Sequence, residues 1–293
     1  MDFNEFIGNV VDNIPDYLPA YDIENIHVAK VFKNNGILCT GMAVCMKGES
    51  ISPNIYLEYY YNMYKSGVDM TDILTLIKDE YNIARERMTK ELYEDITKEN
   101  LEKSIFMKLV NYEKNQEILK DCPFIPFYDL AITFRFLVRK DEEGIASSLI
   151  SNREAKSWNV TPEELYDMAK ANTRKLFPPI LASLESIIEE LMPDTNFEEK
   201  TDLFVLTNEQ KVNGAACMVY QDIIQEFADK CQTDLYILPS SIHEVLLLPV
   251  SDRMSLEELR EMVIDINEYV VDDMDYLSDT VYMYDYKTHS LHL

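Results

Sequence analysis

The chain has 293 residues, with 27 Lys and Arg against 53 Asp and Glu, a formal charge of −26 at neutral pH. Hydrophobic residues make up 47% and aromatics 11%, enough to bury a core at a length that suits one large domain or two smaller ones. So acidic a balance argues against direct binding of nucleic acid or of an anionic membrane surface, which ask for clustered Lys and Arg.

In chain order, Phe3, Phe6, Ile7, Val10 and Val11 recur at helical spacing and predict a helix over residues 2–13, stopped by Pro15 and Pro19. Apolar runs at 27–32 and 37–46 flank Asn34-Asn35-Gly36 and predict a β-hairpin. Gly48 and Pro53 mark a loop. From Met70 onward, Ile73, Leu74, Ile77, Tyr81, Ala84 and Met88 share one helical face, with Asp69 or Thr71 available as a cap. Residues 130–138 and 145–150 predict two strands around a polar turn. Thr161-Pro162-Glu163-Glu164 supplies an N-cap, a first-turn proline and a Glu that reaches back, which is a capping box. A further strand pair is predicted at 203–206 and 215–220 around Asn213-Gly214, with a helix over 222–230. Strands at 235–238 and 244–248 follow, then a helix begun by Ser255-Leu256-Glu257-Glu258.

The helix starts at Thr161 and Ser255 resemble one another and each follows a hairpin, which suggests a recurrent ββα unit, although capping chemistry alone dictates half of the matching positions. Hairpins followed by helices, without regular βαβ alternation, predict an α+β fold of mainly antiparallel sheets covered by helices. Pro193 and the polar residues after it mark a soft division between an N-terminal α+β region, 1–192, and a C-terminal region, 202–293.

Seven glycines leave no GxGxxG, GxxxxGK[ST] or GxSxG pattern, and His243-Glu244-Val245-Leu246-Leu247 lacks the second histidine of HExxH. Cys39, Cys45, Cys122, Cys217 and Cys231 are odd in number and form no CxxC pair, which favours reduced thiols. No apolar run approaches the ~18 residues of a membrane span, and no basic n-region opens the chain, so a cytoplasmic location is expected.

The stretches Asn34-Asn35-Gly36, Pro53-Asn54-Ile55-Tyr56-Leu57, Leu176-Phe177-Pro178-Pro179, Asn213-Gly214-Ala215-Ala216 and Leu238-Pro239-Ser240-Ser241-Ile242-His243-Glu244-Val245, in this order, carry a resemblance. The chain resembles a bacterial family, domain of unknown function 5688. The resemblance implies a cytoplasmic bacterial protein and brings no catalytic residue with it.

One constellation could support acyl transfer: Cys217 on one predicted strand, and Ser240, Ser241 and His243 beside another. The same residues also read as structure. Cys217 stands between Ala216 and Met218 in an apolar run, Ser240 and Ser241 turn the chain after Pro239, and Glu244 on a strand would face away from His243. His289 and His292 have HxxH spacing, but nothing completes a metal set, so neither a metal nor a cofactor is expected. Tyr56, Tyr59, Tyr60 and Tyr64, with Tyr61 among them, form a candidate binding patch or a core face with outlying tyrosines. From Asp252 to Asp285, eleven acidic residues stand against two basic ones. The expectation is a non-catalytic binding or regulatory protein whose acidic surface meets a basic protein partner. The alternative is a hydrolase or transferase using His243 with Ser240, Ser241 or Cys217, and a third possibility is divalent-cation binding by the acidic C-terminal region, which lacks the calcium-loop pattern.

Overall fold

The structure is a computed structural model, and it describes residues 1–18, 22–48, 52–87, 98–141, 144–192, 201–239, 241–251 and 254–293. The chain divides into two units, one formed by Met1–Lys33 with Ile37–Ile96, the other by Asn34–Gly36 with Thr97–Leu293.

In the first unit, helix α1 (Phe3–Asn13) opens with a capping box: the Asp2 carboxylate accepts from the Glu5 N–H at 2.9 Å, and the Asp2 N–H donates to Glu5 at 2.8 Å. Strands β1 (Ile23–Phe32) and β2 (Leu38–Met46) pair antiparallel as the turn signal predicts, and Asn35 and Gly36 both take positive φ, which these residues tolerate best. A short β3 (Asn54–Tyr56) adds to β2, followed by α2 (Leu57–Lys65) and α3 (Met70–Arg87). Asp69 accepts from the Thr71 N–H at 2.8 Å at the start of α3. Met42, Val44 and Met46 alternate along β2 toward a core that also holds Phe6 and Val10 of α1, Tyr60 of α2, and Ile73, Ile77 and Tyr81 of α3.

In the second unit, α4 (Lys98–Ser104) leads into β4 (Ile105–Asn111), α5 (Gln116–Leu119), β5 (Phe124–Phe127), β6 (Leu130–Asp141) and β7 (Gly144–Leu149). The long β6 pairs antiparallel with β4, β5 and β7. Helices α6 (Asn152–Trp158) and α7 (Pro162–Leu176) follow, and the capping box at Thr161 forms as the sequence predicts. Thr173 on α7 ties this helix to β4, accepting from the Met107 N–H at 2.8 Å.

The rest of the chain is β8 (Pro179–Ser183), α8 (Leu184–Leu191), β9 (Phe204–Asn208), a 3-10 helix (Gly214–Val219), α9 (Gln221–Cys231), β10 (Leu235–Leu238), β11 (Val245–Pro249), α10 (Leu256–Tyr269), β12 (Tyr282–Asp285) and β13 (Ser290–His292). These strands form a six-stranded antiparallel sheet in the order β13-β12-β10-β11-β9-β8. The fold is α+β, with mainly antiparallel sheets and helices.

Two expectations differ from this arrangement. The anticipated division between 192 and 202 falls inside one sheet: β8 and β9 pair from Pro179↔Asn208 to Ser183↔Phe204, so the ladder joins the residues on either side. Residues 215–220, expected as a strand, lie instead in the 3-10 helix and the residue after it. All six residues of that helix are buried, and an apolar run buried on every side carries no period that separates strand from helix. The ββα pattern therefore occurs at β6-β7 and β10-β11, each followed by a capped helix, but not at β9.

Candidate functional site

Gly214 lets the 3-10 helix press against its neighbours. A Cβ there would lie 2.2 Å from Thr207 Oγ1 and 2.4 Å from the His243 carbonyl oxygen, and Asn213 before it takes φ of 54°. Two hydrogen bonds hold the segment in place: the Ala215 N–H donates to the Ile242 carbonyl at 3.2 Å, and the Thr207 hydroxyl to the His243 carbonyl at 2.7 Å. The packing thus sets the 3-10 helix that carries Cys217 against the Ile242-His243 backbone.

The functional groups of Cys217, Ser241 and His243 are engaged elsewhere. Cys217 is 1% exposed, its thiol donates to the Thr207 carbonyl at 3.1 Å, and burial pushes its pKa up to about 12, so it is a thiol and not a thiolate at neutral pH. The Ser241 hydroxyl donates to Glu244 Oε1 at 2.7 Å and accepts the His243 backbone N–H at 2.9 Å, closing a small turn. The His243 ring accepts from the Asn213 N–H through Nδ1 at 3.3 Å, while Nε2 faces Asp275 Oδ1 at 3.3 Å. An acceptor Nδ1 places the ring proton on Nε2, directed at the carboxylate. The ring's partner is therefore Asp275, which the sequence reading did not single out, and Glu244 serves Ser241 instead. Ser240 lies outside the described residues.

Lys108 and Arg135 also escaped the sequence reading. Thr133 stands opposite Lys108, and Arg135 follows two residues along β6, so the two cations share a sheet face as diagonal neighbours. Burial, then the Arg135 charge, lowers the Lys108 pKa to about 8, against an upward pull from Asp275. Burial also lowers the pKa of Arg135, whose guanidinium donates to the Ser147 hydroxyl at 2.9 Å and carbonyl at 3.0 Å. Their signal was a lone cation inside each apolar run, Met107-Lys108-Leu109 and Phe134-Arg135-Phe136.

The tyrosines separate by face. Tyr60 is 3% exposed and its hydroxyl donates to Glu80, while burial raises its pKa. Tyr64 packs on the Phe6 ring at 5.8 Å, and the Tyr56 ring lies 3.7 Å from Lys33 Nζ. Tyr59 projects outward, 67% exposed. This segment is mainly core with one outlying ring. His289 takes φ of 53° in the turn before β13, and His292 Nε2 lies 2.8 Å from Ser290 Oγ.

An apolar concave feature of the second unit lies elsewhere. A cavity of about 240 Å³ opens between α10 and strands β10 and β11, with walls from Leu238, Leu246, Leu248, Leu259, Met262, Val263 and Ile266. Leu259 and Val263 form the buried stripe of α10, and Met262, Ile266 and Tyr269 extend its apolar face into solvent. Helical geometry sets Glu258 and Asp265 beside that extension, and Asp202 lies on the cavity lining. Asn267 closes the cavity, its amide N–H₂ donating to the Ser278 carbonyl at 2.9 Å and to Asp279 Oδ1 at 2.8 Å.

Among the described residues, no helix is long and apolar enough to cross a membrane, and no group of three His, Cys, Asp or Glu side chains could hold a metal ion. No curated protein and no solved structure matches the chain. A family model does match, over residues 3–286, and by it the chain belongs to the family of unknown function DUF5688.

Proposed function

We propose that this is a non-catalytic cytoplasmic bacterial protein that binds a basic partner, taking an amphipathic helix of that partner against α10. The observation that carries the proposal is the apolar cavity at the exposed apolar stripe of α10, within the most acidic stretch of the chain. An amphipathic helix buries its apolar face in such a groove, and its Lys and Arg then meet the acidic rim. Five free cysteines agree with a reducing compartment.

The test is fluorescence anisotropy of the full chain with a labelled 18-residue Lys/Leu amphipathic helix carrying one central Trp. Saturable binding is expected at low salt, weakened about tenfold or more at high salt because exposed charge pairs are screened. Ile266→Asp, at a partly exposed position on the groove, should abolish it without unfolding the chain. Absence of saturable binding, or binding indifferent to both salt and Ile266→Asp, overturns the proposal.

A further inference from the structure

Lys108 on β4 is partly exposed, and among the described residues its Nζ has neither a hydrogen-bond nor an ion-pair partner. The partnerless side-chain atoms that are sealed from solvent belong to Glu58, Gln210, Asn267 and Tyr284, so the Lys108 amine stays open to solvent. Asp275 acts on this amine by charge but forms no ion pair with it, its Oδ1 facing His243 Nε2 at 3.3 Å. A paired ammonium is held protonated and its lone pair is blocked. An unpaired amine beside a second cation gives up its proton more readily and becomes a nucleophile.

Arg135 is that second cation. Thr133 stands opposite Lys108, and Arg135 lies two residues further along β6 on the same face. Burial and the Arg135 charge together lower the Lys108 pKa to about 8. At pH 7 about a tenth of the amine is then free base, roughly 300-fold more than at an unshifted lysine. Arg135 also keeps a donor in reserve. Its Nε and Nη2 donate to Ser147 at 2.9 and 3.0 Å, while among the described residues Nη1 has no partner and is not sealed from solvent. An open guanidinium edge recognises a carboxylate. Diagonal neighbours on a sheet are rooted about 7 to 8 Å apart, a span that long side chains bridge through one small molecule.

We propose that Lys108 is a covalent binding site for a small α-keto acid, its amine condensing with the keto carbon while Arg135 takes the carboxylate. The neutral nitrogen attacks the carbonyl carbon and the π pair moves to oxygen. The carbinolamine so formed loses that oxygen as water, with the two amine hydrogens, and leaves a C=N bond. The step is reversible and needs no other reactant. It is independent of the α10 groove and stands or falls without it.

The experiment incubates the full chain near neutral pH with pyruvate and sodium cyanoborohydride, which reduces an imine to a stable carboxyethyl amine, and locates the label by peptide mapping. Methyl pyruvate is the control, because it keeps the keto group and removes the charge. With pyruvate, Lys108 is expected to be labelled about tenfold or more faster than any other lysine. With methyl pyruvate that preference should fall about tenfold, the worth of one charge-assisted hydrogen bond. Lys108→Met should lose the fast label and leave the rest of the map unchanged, with a thermal melt showing that the variant is folded. Labelling of Lys108 no faster than of the other lysines would overturn the proposal. An equal preference for Lys108 with pyruvate and with its ester would overturn the role of Arg135 and the keto-acid assignment with it.

Discussion

Replacing Lys108 by Met tests whether a partly buried cation is a standing cost in the second unit. Met keeps the length of the stem and removes the charge, so the change approximates a volume-conserving swap. Lys108 has its pKa lowered from 10.5 to about 8 by burial first and by Arg135 second. At roughly 1.4 kcal/mol per pH unit, that difference corresponds to about 3 kcal/mol. The sign follows from proton binding. Below pH 8 both folded and unfolded chains carry the proton, and the burial cost is fully present. Between pH 8 and 10.5 the folded chain releases it first, the unfolded chain binds more protons, and native stability gains with rising pH. Above 10.5 both forms are neutral and the cost is gone. Lys108→Met should therefore stabilise the second unit by about 3 kcal/mol at neutral pH, or about 6 to 12 °C in its melting transition. The gain should fall to about 2 kcal/mol near pH 9 and vanish near pH 10.5. Lys108→Arg, which cannot deprotonate, should forgo the relief and fall below the native chain as pH rises. Thermal melts of the three proteins at several pH values measure all of this. A Lys108→Met protein no more stable at neutral pH, or a gain unchanged across that range, would refute the reasoning.

Gly214→Ala places a methyl 2.2 Å from Thr207 Oγ1 and 2.4 Å from the His243 carbonyl, and is expected to cost about 3 kcal/mol in urea unfolding; a change below about 0.5 kcal/mol would contradict the close approach. Asp129 accepts from the hydroxyls of Ser278 at 2.5 Å, Thr280 at 3.1 Å and Tyr282. Asp129→Asn puts an N–H₂ donor among three donors and should destabilise the chain by about 2 to 4 kcal/mol, with calorimetry as the readout and an unchanged melting temperature as the opposing result. Iodoacetamide at pH 8 should leave Cys217 unmodified in the native chain and alkylate it in denaturant, because its thiol is buried and its pKa is pushed up to about 12; rapid native labelling in a peptide map would show that the thiol is accessible.

Much of the local structure is written in short-range chemistry. Asn35-Gly36 specifies a turn because positive φ is cheap for those residues, and the Thr161 and Ser255 boxes specify helix starts because each pairs a hydroxyl with a Glu at the right spacing. The periodicity of Ile73, Ile77 and Tyr81 likewise determines which face of α3 is buried. Together these elements specify an α+β protein.

Tertiary structure decided what long-range pairing controls. Residues 215–220 are apolar enough for a strand, yet most of them form a 3-10 helix whose first residue, Gly214, lies close against Thr207 and Asn208 of β9 and the His243 carbonyl. The pairing of β8 with β9 places both sides of the anticipated division in one sheet. The polar groups of Cys217, Ser241 and the His243 ring go to Thr207, Glu244, Asn213 and Asp275, partners that lie between 3 and 32 residues away. Lys108 and Arg135 showed as single cations in apolar strands, a legible anomaly, whereas their shared face depended on the register of β4 against β6. The cavity beneath α10 had no sequence signature, because Leu246, Leu259 and Val263 read as ordinary core; a gap between packed elements is a property of how surfaces meet, and no residue type encodes it alone.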